Sequence, residues 1–464
     1  MAKSKTNYQC RECGKTYTNW SGKCPNCKEF GTLEEVEVSS SGKTAGEVQS
    51  SSGLKSGGSL KPLQAARTLS QLKKVNVART PTGIGELDRV LGGGFVDGEV
   101  VLLAGSPGAG KSTLSLRLCE IFGAKGTTVL YSSGEESESQ IRLRADRMGI
   151  TEENIRITHE TNLETLIGHM DDVQPKFMIV DSLQTIASSE LAGSIGSIGQ
   201  SKEAAHTLTR LAKQRGISMV LINQATKGDG SDPTFAGSNQ IAHIVDCVLY
   251  IESDRDTPLK FLRATKNRFG DATEVGIFQH SETGLEEVAD PSGVLMDDGE
   301  PLAGEATGFI SEGVRQIPVE IQALVAESSL TNPRKQFSTV DTGRGQIICA
   351  ILDKFTDLRL YDSDVFVATT AGIRVKDPLA DLAIAAALIS SAEDKRRGDR
   401  TIYIGEMTLT GRVKGAMIRS KLREAERLGF DRAVVPVSAK DQIPRGMKMR
   451  VETIDSITEL PKIV

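Results

Sequence analysis

Gly105-Ser106-Pro107-Gly108-Ala109-Gly110-Lys111-Ser112 satisfies the phosphate-loop pattern G-x-x-x-x-G-K-[ST] at every defined position. Glycines at this spacing let successive backbone N–H groups converge on phosphate oxygens at a helix N-terminus. Lys111 then reaches the β- and γ-phosphates, the Ser112 hydroxyl takes a position on Mg2+, and Thr113 carries the loop into the helix. Asp181 closes the apolar run F-M-I-V-D, where a carboxylate holds Mg2+ through water. A nucleoside triphosphate, ATP by expectation, binds here with Mg2+. Hydrolysis needs a group that orients the attacking water, and one of Glu135 and Glu136, directly after the strand-like V-L-Y-S-S-G, is the candidate base. The alternative for this pair is a helix N-terminus capped by acids. Asn223-Gln224 ends another apolar run, and a carboxamide there can hydrogen-bond a γ-phosphate and report its loss. Residues 264–270, A-T-K-N-R-F-G, set Lys266 and Arg268 beside an aromatic and a glycine, either as a solvated turn or as cations for an anionic partner.

A second chemistry lies at the N-terminus. Cys10-Arg11-Glu12-Cys13 and Cys24-Pro25-Asn26-Cys27 are two C-x-x-C knuckles, a spacing that closes a tetrahedral Zn2+ site with no position left for a catalytic water. So short a segment has almost no apolar core, and metal binding worth about 10–16 kcal/mol supplies its folding energy. Cys119, Cys247 and Cys349 stand singly in apolar contexts and read as small core residues.

These groups need elements to hold them. At 464 residues the chain is too long for one ordinary core. Its net charge of -5 predicts no general affinity for polyanions, so any nucleic-acid contact must come from local patches. Neither a bilayer-spanning apolar run nor a signal-peptide core is present, which predicts a cytoplasmic protein without membrane contact. Residues 1–35 form a C4 zinc finger or ribbon, and the Ser/Gly-rich stretch within 36–75 is a flexible linker by composition. Over 76–285, nearly continuous apolar strands alternate with helical segments, the mark of an α/β fold whose parallel sheet is covered by helices on both faces. Residues 290–464 change style and read as a separate α+β domain.

The stretch from Thr82 to Leu114, the S-G-E-E-S, the K-N-R-F-G and the four-cysteine start together resemble the bacterial RadA (Sms) family of RecA-type recombination ATPases, over essentially the whole chain. The resemblance implies a central RecA-like P-loop ATPase domain that assembles into a ring, with a hexamer expected. Lys266 and Arg268 would then stand near phosphates bound by a neighbouring subunit and stabilise charge on the γ-phosphoryl group. It also implies that the loops at 188–200 and 227–240 face a central channel and touch DNA, with Lys227 as a phosphate contact beside Lys266 and Arg268. Asn223-Gln224 departs from the Gly-His usual in that family.

Residues 368–388 and 403–414 resemble the proteolytic domain of Lon proteases. Lys376-Asp377-Pro378-Leu379-Ala380-Asp381 carries no serine where the nucleophile belongs, so no acyl-enzyme forms and the domain is expected to be proteolytically inactive. Ser420 and Lys421 are adjacent and make a poor dyad. Arg412, Lys414, Arg419, Lys421 and Arg423 lie close together in sequence and, with Lys395-Arg396-Arg397, offer cations to duplex phosphates or simply to solvent. The combined reading is a DNA-dependent ATPase of homologous recombination and repair. It uses Glu135 for hydrolysis and Gln224 as a sensor, moves on single-stranded and branched DNA, and extends strand exchange beside RecA. Its rivals are a KaiC-type signalling ATPase, an ATP-fuelled protease and a non-enzymatic DNA-binding scaffold.

Overall fold

The computed structural model describes residues 6–10, 16–17, 21–23 and 33–37 near the N-terminus, then 78–226, 234–235, 239–253, 257–281, 284–296, 299, 302–396 and 400–464. The chain divides into two compact units, Met1–Lys74 and Val75–Val464. In the first, Thr6–Cys10 is the middle strand of a three-stranded antiparallel sheet, flanked by Thr16–Tyr17 and Leu33–Glu37. Cys10 ends that strand; its side chain and residues Cys13, Cys24 and Cys27 lie outside the described residues.

Near its start the second unit pairs Arg79–Thr80 antiparallel with Phe95–Val96, and between them lies a short helix, α1 (Gly85–Leu91). Strands and helices then alternate: β1 (Val100–Gly105), α2 (Lys111–Ala124), β2 (Val129–Ser133), α3 (Glu138–Met148), β3 (Ile155–Thr158), α4 (Leu163–Val173), β4 (Phe177–Asp181), α5 (Ile198–Arg215), β5 (Ser218–Thr226), α6 (Asn239–Ile244) and β6 (Cys247–Ser253). All six residues of β1 and all five of β4 are buried, because helices pack on both sheet faces and leave no polar side to alternate with. Helix α5 starts at Ser197, whose hydroxyl accepts from Gln200 N, and stops at Gly216, whose φ of 63° a residue with a Cβ tolerates poorly. Hairpins then add β7 (Leu259–Asn267), β8 (Val275–Ser281) and β9 (Gly284–Glu287) antiparallel, giving the order β9-β8-β7-β6-β1-β5-β4-β2-β3. Strands β3 through β6 in this order are mutually parallel. The parallel α/β sheet covered by helices on both faces, expected over this region, is present.

The C-terminal part builds a seven-stranded mixed sheet from β10 (Glu305–Glu312), β11 (Arg315–Glu327), β12 (Lys335–Phe337), β13 (Ser363–Thr369), β14 (Thr401–Tyr403), β15 (Arg432–Pro436) and β16 (Arg450–Ile454), in the order β12-β13-β11-β10-β14-β15-β16. Helices α7 (Thr342–Phe355) and α8 (Asp381–Ala392) pack on one face and α9 (Arg419–Arg427) on the other. The alanine-rich α8 is buried from Asp381 to Ser390, its small side chains admitting β10 and β11 closely. The two sheets do not keep separate cores: Leu259, Phe261, Val275 and Ile277 of β7 and β8 pack in the same apolar cluster as Ile317, Val319 and Ile321 of β11. Ion pairs from Arg315 to Glu86 and from Arg263 to Glu312 (2.5 Å) fasten the junction. Among the described residues, no helix is long and apolar enough to cross a membrane.

Candidate nucleotide site

The loop between β1 and α2 has the backbone that phosphate binding requires. Gly108 and Gly110 stand at φ 76° and 96°, and a Cβ on Gly105 would come within 2.9 Å of the Ile251 carbonyl of β6. Lys111 is 8% exposed and donates from Nζ to the Gly105 and Ser106 carbonyls at 2.9 and 3.0 Å. Burial lowers its pKa, while Asp181 and Glu135 act in the opposite sense. Asp181, 3% exposed at the end of β4, accepts from Tyr131 Oη at 2.8 Å. Burial raises its pKa against hydrogen bonds from Ser112 and Tyr131. Ser112 and Asp181 thus meet as a hydroxyl and a carboxylate of the hard-oxygen kind that Mg2+ takes. A cavity of about 320 Å³ opens over this group, bounded by the loop, Glu135, Glu136, Arg144, Gln224 and His280.

The two adjacent glutamates both border the cavity but are held by different partners. Glu135 Oε1 accepts from Ser182 Oγ at 2.5 Å and from Gln224 Nε2 at 3.3 Å, which points it into the cavity between β4 and β5. Glu136 is held by Arg144 of α3 at 2.5 Å. Sequence reasoning missed Tyr131, Ser182, Arg144 and His280. Tyr131 and Ser182 are neighbours in sequence of residues already singled out, but nothing in the sequence marks His280, some 170 residues from the loop.

Lys266 and Arg268 do not join this cavity. Strand β7 runs antiparallel to β6 and brings Asn267 opposite Cys247, at the edge of the parallel sheet away from the phosphate loop. Lys266 Nζ donates to the carbonyls of Ala242 (2.7 Å), His243 (3.2 Å) and Val245 (2.7 Å), at and just beyond the C-terminus of α6. Arg268 pairs with the buried Asp246 at 3.0 Å, a carboxylate that Lys213 also reaches at 2.7 Å. Lys266 and Arg268 are therefore distant from the phosphate loop of their own chain.

Both glycine-rich segments leave the carboxyl edge of the sheet. In the first, Gln200 accepts from Ser188 N at 2.8 Å and donates to Leu191 O at 2.6 Å, while Leu191, Ile195 and Ile198 are exposed. In the second, Thr234–Phe235 folds back antiparallel on Ala225–Thr226, immediately after Gln224. Lys227 lies outside the described residues.

In the C-terminal sheet the basic cluster read from sequence needs one correction. Arg412, Lys414, Arg419 and Arg423 are exposed, but Lys421 is 2% exposed and unavailable to a polyanion, because α9 turns it inward. Its Nζ donates to Ser311 Oγ (2.7 Å), Gln316 Oε1 (2.6 Å) and Asp377 Oδ2 (2.8 Å). Burial opposes ionisation of Asp377, yet the Lys421 ammonium holds its pKa below the ordinary carboxylate value. Burial lowers the Lys421 pKa, while the hydrogen bond and charge of Asp377 act in the opposite sense; in its charged form Lys421 has no lone pair with which to take a proton from Ser311. Ser420, the adjacent residue, is exposed.

Comparison with known proteins agrees with this division. Residues 8–35 match the rubredoxin metal-binding domain family, 80–159 the KaiC ATPase family and 350–463 the Lon protease (S16) C-terminal proteolytic domain. Proteins named DNA repair protein RadA are similar along nearly the full length: from Pseudomonas aeruginosa at 38% identity (97% of each chain), from Bacillus subtilis at 36% (97% of this chain, 96% of the other), and from Mycolicibacterium smegmatis at 39% (97% and 95%). A solved KaiC-like protein of Pyrococcus horikoshii, 20% identical over 46% of this chain, superposes with a TM-score of 0.39, too distant to decide anything.

Proposed function

The chain belongs to the RadA family of bacterial DNA repair proteins, and from that premise we propose that this DNA repair ATPase is a DNA-dependent motor of homologous recombination. The observation that carries the reading is the contact of Gln224 with Glu135, one residue before the point where the Thr234–Phe235 segment folds back on β5. A group that meets the hydrolytic carboxylate and roots a loop can convert the presence of a γ-phosphate into loop position.

Lys111 and the loop N–H groups hold the triphosphate, and Glu135, oriented by Ser182 and Gln224, aligns the attacking water. Mg2+, held by Ser112 and, through water, by Asp181, supplies charge neutralisation at the phosphates. Lys266 and Arg268 act on the nucleotide of a neighbouring subunit in a ring, a hexamer in this proposal. Their distance from the phosphate loop of their own chain supports a role in trans. Lys227 and the loop at 188–200 contact single-stranded or branched DNA, and translocation extends strand exchange with RecA as partner. Cys10, Cys13, Cys24 and Cys27 hold a structural Zn2+, and the protein acts in the cytoplasm. The capture of Lys421 by Asp377 argues against peptide hydrolysis.

ATP hydrolysis measured with and without single-stranded DNA over a salt series tests this, with Lys111→Ala as the blank. Stimulation that fades as salt rises is expected, because phosphate contacts release counterions; turnover indifferent to DNA would overturn it. Lys266→Ala and Arg268→Ala are expected to bind ATP and lose the DNA-stimulated part.

A further inference from the structure

The cavity over the phosphate loop is lined by the carboxylates of Glu135, Glu136 and Asp181 and by the cations of Lys111 and Arg144. A triphosphate brought among these carboxylates needs every cation within reach, and the phosphate-loop motif accounts only for Lys111. Of the arginines on α3, Arg142 pairs with Asp146 at 2.8 Å and, like Arg147, is exposed, whereas Arg144 lines the cavity. The Arg144 side chain is 21% exposed and meets Glu136 Oε1 at 2.5 Å. This pairing is only half made. An arginine fork fits a carboxylate through two parallel bonds, yet Glu136 Oε2 is buried without a partner and, among the described residues, the other N–H groups of Arg144 make no hydrogen bond. A mostly buried guanidinium with unspent donors, beside a phosphate cavity, suits a second and better acceptor. Glu136 adjoins Glu135, whose contacts with Ser182 and Gln224 mark the end of the cavity where water attacks. The acceptor nearest to that end is a terminal phosphoryl group.

We infer that Arg144 is a γ-phosphate ligand supplied by the same chain, and that Glu136 is the carboxylate from which the γ-phosphate takes it. The inference rests on the ATP reading of the phosphate loop and adds how ATP is told from ADP before a neighbouring subunit contributes: only a triphosphate reaches far enough to win Arg144 from Glu136. The role is separate from that of Lys266 and Arg268, which lie away from the phosphate loop of their own chain.

The test is equilibrium binding of ADP and of AMP-PNP, a triphosphate analogue whose terminal bond resists hydrolysis, each with Mg2+, to the full-length protein and its variants. Arg144→Gln should weaken AMP-PNP by about 10-fold or more, the worth of one hydrogen bond between charged groups, and leave ADP unchanged within about 2-fold. Glu136→Gln should act in the opposite sense and tighten AMP-PNP relative to ADP by about 2- to 5-fold, because the guanidinium no longer has a carboxylate to leave. A pair that merely fastens α3 to the end of β2 would be broken alike by both variants, which would then shift AMP-PNP binding in one direction. That outcome, an AMP-PNP affinity unchanged in Arg144→Gln, or an ADP loss equal to the AMP-PNP loss would each overturn the assignment. If the parent binds both nucleotides and Lys111→Ala binds neither, a failure at Arg144 falls on this inference alone. A parent that binds neither nucleotide removes the ATP reading and this inference with it.

Discussion

Replacing Lys421 by methionine keeps the length of the side chain and removes its charge, which makes it a clean probe of the buried pair in the C-terminal sheet. The ammonium is 2% exposed and serves three oxygens within 2.8 Å, and the Asp377 side chain is 12% exposed. Lys421→Met therefore leaves a nearly buried carboxylate without its counter-charge and the Gln316 carboxamide oxygen without this donor. Breaking one side of such a pair costs about 3–5 kcal/mol, whereas exchanging both partners for apolar groups is often close to neutral. The double variant Lys421→Met/Asp377→Leu should thus be more stable than Lys421→Met alone, with a coupling of about 2 kcal/mol or more. Global unfolding of so large a unit is a poor readout, since two-state behaviour is not assured. Hydrogen exchange of the amides in α9 and at 377–381 reads the local opening free energy instead. A loss below about 0.5 kcal/mol in Lys421→Met, or a double variant as unstable as the sum of the two singles, would refute the reasoning.

Two further outcomes are expected. Glu135→Gln should lower DNA-stimulated turnover by about 100-fold or more with ATP binding intact, while Glu136→Gln, which loses only an ion pair to Arg144, should change it little; equal effects in single-turnover assays would remove Glu135 from its role. Glu99 is fully buried, with one oxygen accepting from Val96 N and the other unpartnered, and burial raises its pKa from 4.5 to about 7. The folded state holds this proton where the unfolded chain releases it, so stability should fall by about 3 kcal/mol as pH rises through the interval between those values. Glu99→Gln should remove that slope; an unchanged difference between parent and variant at pH 5 and pH 8 in the opening free energy read by hydrogen exchange of the β1 amides would contradict it.

What could be read from the sequence was what local spacing determines. The phosphate loop is eight consecutive residues whose glycines dictate their own backbone, and the apolar runs of β1 and β4 announced a sheet covered on both faces. The choice between Glu135 and Glu136 was not legible, because adjacent side chains at a strand end diverge and the deciding partners, Arg144, Ser182 and Gln224, lie 8, 47 and 89 residues away. Lys421 looked like one more surface cation in a basic stretch. Its partners Asp377, Gln316 and Ser311 are 44, 105 and 110 residues distant, and only tertiary packing reveals them. His280 was invisible for the same reason: a hairpin added antiparallel to the sheet edge brings it back to the loop.

The apolar cluster shared by β7, β8 and β11 bears on what keeps a fold resembling a protease attached to an ATPase. Cutting the chain between the two sheets would strip cover from Leu259, Phe261, Val275 and Ile277, and would release an ATPase with a sticky flank. Selection on ATP turnover alone is then enough to preserve the C-terminal sheet, since its loss would be felt first as aggregation of the ATPase. Peptide-cleaving groups could decay freely while the side chains facing β7 and β8 could not. Among relatives, the residues of β11 that face the ATPase should drift more slowly than those around Lys421.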